Sequence, residues 1–303
     1  MSIASAFSQL SAALTGVVRL NEPLARYTTY RIGGPADILI IADTLADLRA
    51  ATRILEEFQI EWTVLGKGSN ILAADAGYRG AVIILGRDFR KHWVRDGQLI
   101  AGAGAILAHV VQDAYAAGLS GLEFAVGIPG TVGGALAMNA GTGDDWIGSV
   151  VSSVTLLQPG GELVGVRGHE IAWGYRASAV PIRGITVECS LRVAEGDVVS
   201  IRRRMDSALA RRKRTQPIGL PCAGSVFRNP EGDSAGRLIE SVGLKGARSG
   251  AASISEVHAN FIVNHGGATA KDVLRLLHDA RDTVLDLHGV ELKPEIKFLG
   301  SFQ

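Results

Sequence analysis

The chain has 303 residues, 47% of them hydrophobic and 20% charged, which excludes a largely disordered polypeptide and provides length for about two or three domains. Lys and Arg total 31 against 30 Asp and Glu, a net charge of +1 that argues against a nucleic-acid coat protein. Cys189 and Cys222 are its only cysteines, too few for a secreted-type disulfide framework or a four-thiolate zinc site.

From the N-terminus, residues 1–10 lack the basic start and apolar run of a signal peptide. Residues 36–41 (ADILII) read as a strand. Thr44 and Asp47 form a capping-box pattern ahead of Leu45, Leu48, Leu55 and Phe58 at helical spacing. Residues 62–65 and 81–85 (AVIIL) read as further strands. A helix over 105–117 carries Ile106, Val110 and Ala114 on one face. The stretch 124–143 has no charge, but six glycines, Pro129 and Asn139 make a lipid-facing helix untenable, so it reads as a loop system in a cytoplasmic protein. Residues 150–157 and 185–193 read as strands. A helix over 197–213 places Val198, Ile201, Met205 and Leu209 together. Another over 270–288 aligns Val273, Leu276, Leu277, Ala280, Val284 and Leu287, with Gly289 as its stop. Helices and strands mix without sustained βαβ alternation, so the class is α+β. Charge is uneven: residues 198–303 hold 16 Lys/Arg and 11 Asp/Glu, which points to an anionic ligand there.

The common nucleotide signatures are missing. Gly66-Lys67-Gly68 and Gly102-Ala103-Gly104 each begin a GxGxxG pattern and lack its third glycine; no GxxxxGK[ST] and no HExxH occurs, and the seven histidines are scattered, so no metal site is expected. Two glycine loops remain. Leu65-Gly66-Lys67-Gly68-Ser69-Asn70 follows an apolar strand, and its small residues suit main-chain N–H groups converging on a phosphate; a plain tight turn is an equal reading of the hexapeptide alone. Gly127-Ile128-Pro129-Gly130-Thr131-Val132-Gly133-Gly134 leads into Met138-Asn139-Ala140-Gly141 and lets main chain approach a ligand closely, or serves as a structural loop. The two loops together favour a dinucleotide site.

At this point the chain resembles the UDP-N-acetylenolpyruvoylglucosamine reductase family. The resemblance rests on YTTYRIGGPAD (27–37), LGKGSNIL (65–72), GLEFAVGIPGTVGGALAMNAG (121–141), GYRAS (174–178), QPIGLPCAGSVFRNP (216–230), AGRLIESVGLKG (235–246), HANFIVN (258–264) and LKPEIKFLG (292–300). It implies a vanillyl-alcohol-oxidase (PCMH)-type FAD-binding fold in two lobes, 1–85 and 86–197, and a smaller α+β substrate domain over 198–303 whose last residues return to the first lobe. It also implies the shorter branch of the family, without an extra substrate-capping insertion. FAD would contact Gly66, Lys67, Gly68, Ser69, Asn70, Gly127, Ile128, Pro129, Gly130, Thr131, Gly133, Gly134, Asn139 and Gly141. Neither flavin loop holds a His or Cys at 66–70 or 127–134, so the cofactor is expected to be non-covalent.

The implied reaction uses NADPH as co-substrate and reduces an enolpyruvyl ether on a nucleotide sugar, a step in peptidoglycan precursor synthesis. Hydride goes from reduced FAD to C3, charge develops at C2 and its carboxylate, and a proton follows at C2. The resemblance makes Ser225 the proton donor, Arg176 the holder of the substrate carboxylate and Glu295 the third catalytic group, its role requiring a protonated carboxyl. By residue type alone these are a turn serine, a surface arginine and a partner for Lys293 or Lys297. Lys213 and Asn229 match substrate-binding positions, and Tyr175 is expected to line the same cleft. Arg202, Arg203, Arg204, Arg211, Arg212 and Arg214 read as a solvated face. Two other readings stand beside this one: an oxidase on the same flavin scaffold, and a nucleic-acid module built on the 202–214 helix. Few aromatics near that helix and the even charge disfavour the second. The protein is expected to act as a monomer, with no nucleic acid or membrane partner.

Overall fold

The computed structural model describes residues 2–142 and 145–302, so Gly143, at the end of the uncharged stretch, lies outside the described residues. The capping pattern at Thr44 is realised in both directions. The Thr44 hydroxyl accepts from Asp47 N–H at 3.0 Å and the Asp47 carboxylate accepts from Thr44 N–H at 3.2 Å, opening the helix Leu45–Glu57. Thr269 and Asp272 repeat the device at the start of Ala270–His288, and Gly289, at φ +67°, ends that helix in the left-handed conformation. The expected apolar faces are buried with instructive exceptions at helix ends: Leu287 is 66% and Val198 46% exposed, because the last and first turns extend past the surfaces that cover Val284 and Ile201. Among the described residues, four α-helices are not anticipated by the sequence reading: Ile3–Ala13, Val132–Ala137, Val180–Arg183 and Ala235–Ser241. The last three are under two turns long, too short for periodicity to register.

The chain separates into two compact units. The first comprises residues 1–20, 38–67 and 80–210. It contains a five-stranded antiparallel sheet in the order Leu163–Arg167, Val151–Leu157, Ile185–Arg192, Gln98–Gly102, His92–Arg95. It also contains most of a four-stranded sheet, ordered Val17–Pro23, Pro35–Ala42, Tyr78–Leu85, Trp62–Val64, whose last pair is parallel. Ile3–Ala13 and Leu45–Glu57 cover this second sheet through Ala6, Leu10, Leu48, Ile54 and Leu55, all fully buried. Leu107–Ala116 and Val132–Ala137 pack into the other core with Leu99, Val154 and Leu191.

The second unit comprises residues 21–37, 68–79 and 211–303. This division differs from the sequence-based boundaries, which assign the first two segments to an N-terminal lobe. The cause is long-range main-chain bonding. Ala74 N–H donates to Leu299 O at 2.8 Å, and Lys297–Leu299 pairs in parallel with Ile71–Ala73. The Asn264 amide donates to Tyr30 O at 2.8 Å, and the Asp75 carboxylate accepts from Ala270 and Lys271 N–H at the start of the long helix. The core of this unit joins Tyr30, Ile32 and Leu72 to Phe227, Leu238, Ile254, Val273 and Leu277. Among the described residues no helix is long and apolar enough to cross a membrane.

Asp47 does more than cap. Almost fully buried, it also accepts from Thr15 N–H at 2.8 Å, from the Thr15 hydroxyl and from Asp43 N–H. Burial alone would raise its pKa, but these hydrogen bonds outweigh burial and hold it below the usual carboxylate range. A depressed pKa contributes stability that is present above the unfolded value, about 3.9, and is lost as pH falls through the folded value. Asp47→Asn is therefore expected to cost about 1–3 kcal/mol in urea unfolding at pH 7. The gap to wild type should narrow below about pH 4; a gap unchanged by pH would rule out the charged form as its source.

Candidate active site

In the second unit, the segment around Ser225 is held from both sides. On one side Val226 N–H donates to Asn260 O at 2.8 Å, while the Asn260 side chain takes Phe227 N–H at 2.9 Å and gives its own N–H to Phe227 O at 2.8 Å. Asn260 is 2% exposed, so this amide substitutes for a neighbouring strand in the interior. On the other side Glu295 N–H donates to Val226 O at 2.7 Å and Arg228 N–H to Lys293 O at 2.9 Å. Ser225 and Glu295, 70 positions apart, thus flank one short main-chain ladder. The 68–70 turn joins it: the Asn70 amide donates to Glu295 O at 3.1 Å, and Lys297 N–H donates to Asn70 O at 2.9 Å. The Thr29 hydroxyl bridges Gly68 O and, at 2.6 Å, Cys222 O, three residues before the serine. Gly68 sits at φ +62°, where an added Cβ would lie 2.4 Å from Tyr27 O, so only glycine fits against the main chain at Tyr27 and Thr28. Ser225 and Glu295 are half-buried, open enough to meet a ligand.

In the first unit the glycine loop over 127–134 leads directly into Val132–Ala137, whose N-cap Thr131 accepts from Gly134 N–H. A Cβ at Gly66 would approach Thr131 Oγ1 to 2.5 Å, so the two glycine loops touch here with no side chain to separate them. Just past the C-terminal end of the same short helix stand the anchors of a hairpin. Trp173–Gly174 pairs with Ala177–Ser178, leaving Tyr175 and Arg176 as the turn. The Asn139 amide donates to Gly174 O at 2.9 Å and its Oδ1 accepts from Gly148 N–H at 3.1 Å; the Ser178 hydroxyl donates to Leu136 O at 2.7 Å. Arg176 takes φ +53°, uncommon for a non-glycine residue, and its guanidinium lies 5.2 Å from the Tyr175 ring centroid.

The predicted residues therefore divide between the units. Ser225, Glu295, Ser69, Asn70 and Gly68 come together in the second; Arg176, Tyr175, Gly66 and residues 127–141 belong to the first. Asn229 is exposed and its Oδ1 accepts from Ala235 N–H, which leaves its amide N–H groups toward solvent or ligand. Lys213 is exposed on the last turn of Val198–Thr215, whereas neighbouring Arg212 is 8% exposed and bonds Gln216. The rest of that helix behaves as a charged outer face, with Arg202 on Asp206 and Arg204 on Glu123. Three residues went unread: Thr29, Asn260 and Arg228, whose buried Nε has no hydrogen-bond partner. Each lies inside a segment that carries the family resemblance. A polar residue within an otherwise apolar run, as in HANFIVN, was the available signal.

The donor set fits a flavin dinucleotide. Glycine turns offer main-chain N–H groups, Thr131, Ser69 and Asn70 offer small polar side chains, Lys67 offers a cation, and no carboxylate occurs at 66–70 or 127–134 to repel a diphosphate.

Comparison with known proteins agrees. Residues 36–167 match a family model described as FAD binding domain, and 216–299 match UDP-N-acetylenolpyruvoylglucosamine reductase, C-terminal domain. A UDP-N-acetylenolpyruvoylglucosamine reductase from Heliobacterium modesticaldum is 44% identical over 295 residues, 97% of this chain and 94% of that one. The one from Bacillus subtilis is 39% identical over 294 residues, 96% and 97% of the two chains. The crystal structure of the Thermus caldophilus reductase superimposes with a TM-score of 0.82 at 39% identity, covering 94% of this chain and 99% of that one. A Phl p 4 variant, a glucose oxidase, shares the fold alone, with a TM-score of 0.50 and 16% identity over 64% of this chain. Matched end to end by these reductases and over its N-terminal part by a flavin fold, the chain belongs to the UDP-N-acetylenolpyruvoylglucosamine reductase family.

Proposed function

We propose that this protein reduces the enolpyruvyl ether of UDP-N-acetylglucosamine enolpyruvate to UDP-N-acetylmuramate, with NADPH as reductant, in the cytoplasmic synthesis of peptidoglycan precursors. The observation that carries the reading is the ladder joining Val226 to Glu295, with Asn70 bonded to the same Glu295 main chain. This bonds the main chain next to Ser225, the main chain of Glu295 and the 68–70 turn to one another within the second unit, which supports the reading.

Reduction adds a hydride at C3 and a proton at C2. FAD, when bound, supplies the hydride, and NADPH replenishes it. In the first unit Gly66, Lys67 and residues 127–134 are the residues that would hold the cofactor; in the second unit, taken by itself, Gly68, Ser69 and Asn70 are its proposed contacts. The Arg176 guanidinium binds the substrate carboxylate through two parallel N–H groups, so the negative charge that builds up at C2 and its carboxylate meets a fixed cation. The Glu295 carboxyl donates a hydrogen bond to the same developing charge. Ser225 Oγ–H delivers the proton to C2. Lys213, the Asn229 amide and the unpartnered Arg228 Nε–H supply the charge and donors that a diphosphate requires. Tyr175, 55% exposed on the hairpin turn, offers a ring for a nucleotide or sugar face. The protein is proposed to act as a monomer.

An oxidase on this scaffold would require an alcohol substrate and oxygen and would have no use for a proton donor at C2. The purified protein should be yellow and should oxidise NADPH only when the enolpyruvyl nucleotide sugar is present; oxygen uptake with an alcohol instead would favour the oxidase. Ser225→Ala is expected to keep reduction of the flavin by NADPH while losing substrate turnover by about 10²–10⁴-fold. Loss of both half-reactions would remove Ser225 from the proton-donor role. Gly66→Ala must displace Thr131 from its cap on Gly134 or move a loop, and should release flavin at least about tenfold more readily on dialysis, read from residual visible absorbance. Full retention would mean that the contact between the two loops plays no part in holding the cofactor.

A further inference from the structure

We propose that Asn139 is a positioning residue for Arg176: it fixes the hairpin turn that presents the guanidinium and so sets the grip on the substrate carboxylate. The inference rests on the carboxylate-binding role of Arg176 given above.

The hairpin cannot hold its own shape. Only Trp173–Ser178 and Gly174–Ala177 pair across it, and a two-stranded ribbon that short is not stable alone. Its turn also places Arg176 at φ +53°. A side chain in that region persists only where the surroundings over-determine it, and the neighbouring contacts do so here. Asn139, 5% exposed, gives an N–H to Gly174 O, the residue directly before the turn. Its Oδ1 is fixed in turn by Gly148 N–H, so the amide cannot flip without losing both bonds. Ser178 ties the second strand to Leu136 O, and the Trp173 indole donates to Gly168 O at 2.8 Å. Gly148 closes the set: a Cβ there would lie 2.5 Å from the Trp173 ring, so this loop lies flat on the indole.

Asn139 also has a conformational reason to be asparagine. It sits at φ +43° just past the short helix Val132–Ala137, where Asn and Asp are tolerated and branched residues are not. Its main-chain N–H donates to Leu136 O at 3.2 Å while its side chain holds Gly174 O, so the residue just past the helix ties the helix end to the arginine turn. The asparagine side chain is directed at main-chain groups, so its effect on catalysis passes through Arg176.

The test uses the flavin-loaded enzyme and three ligands: the enolpyruvyl nucleotide sugar, UDP-N-acetylmuramate and UDP-N-acetylglucosamine, the last lacking the carboxylate. Asn139→Asp keeps the tolerance for positive φ and the acceptor for Gly148, but turns an oxygen toward Gly174 O. Melting temperature and flavin content are recorded first, then binding by perturbation of the flavin spectrum and turnover by NADPH oxidation. Expected is at least tenfold weaker binding of UDP-N-acetylmuramate and a matching rise in KM for the enolpyruvyl substrate. Binding of UDP-N-acetylglucosamine and flavin content should stay within twofold of wild type. Combined with Arg176→Ala, the variant should add nothing to the loss from Arg176→Ala alone. Equal weakening of all three ligands, or loss of flavin, would overturn the proposal by making Asn139 a general scaffold or cofactor contact. So would wild-type behaviour of Asn139→Asp beside a defective Arg176→Ala, which leaves the carboxylate role intact. If Arg176→Ala itself binds UDP-N-acetylmuramate normally, the underlying role of the arginine falls. Ser178→Ala, which loosens the other strand, is read by the same criteria and decides the matter should Asn139→Asp fail to fold.

Discussion

A side-chain amide that mimics a strand holds the segment around Ser225 in the second unit. Asn260 satisfies both main-chain groups of Phe227, and its own carbonyl takes Val226 N–H, so three consecutive polar groups are paired in the interior. Without it, the opposite edge of the segment, where Val226 meets Glu295, would have nothing behind it. A buried amide of this kind costs several kcal/mol to desolvate if left unmet, on the order of 2–7 for full transfer to an apolar medium, and is tolerable only when every donor and acceptor is matched. The placement of Val226 against Glu295 N–H follows from that requirement rather than from the neighbouring serine or the glutamate side chain.

Much of the secondary structure was legible because it depends on local rules. Thr44 with Asp47 and the Gly289 stop are written into neighbouring residues, and the structure follows them closely. The partition into units was not legible. Residues 21–37 and 68–79 have strand and turn signals typical of an N-terminal lobe, and nothing in their composition announces that Ala74 will bond Leu299 or that Asp75 will cap a helix that starts at residue 270. Pairings across about two hundred positions leave no periodicity to read. Leu287 shows the complementary failure: the helical stripe is correct, yet the covering surface ends before it.

At the candidate site, residue type and resemblance single out segments that the structure bonds together within each unit, but they do not specify what each side chain bonds. Asn139 is itself an expected flavin contact, yet its side-chain amide donates to Gly174 O and its Oδ1 accepts from Gly148 N–H, so both ends are taken up by the hairpin and its neighbouring loop. Asn70, in the other flavin loop, serves Glu295 through its side chain. In both cases a short polar residue beside glycines can equally meet a phosphate or a main-chain carbonyl, and only the folded geometry distinguishes them. The fold alone would not have settled the chemistry either, since a glucose oxidase shares it at 16% identity. What separates the proposed reductase from such an oxidase is the hydroxyl, guanidinium and carboxyl proposed at Ser225, Arg176 and Glu295, not the fold.

The parallel pair formed by Ile71–Ala73 and Lys297–Leu299 has a consequence for biosynthesis. A ribosome releases the earlier strand long before the later one exists, so during translation its edge stays open while the first unit already has most of its own residues. The second unit therefore closes only after residues 297–299 have been made. For that interval the exposed edge is a docking place for chaperones or for a stray strand from a neighbouring polysome.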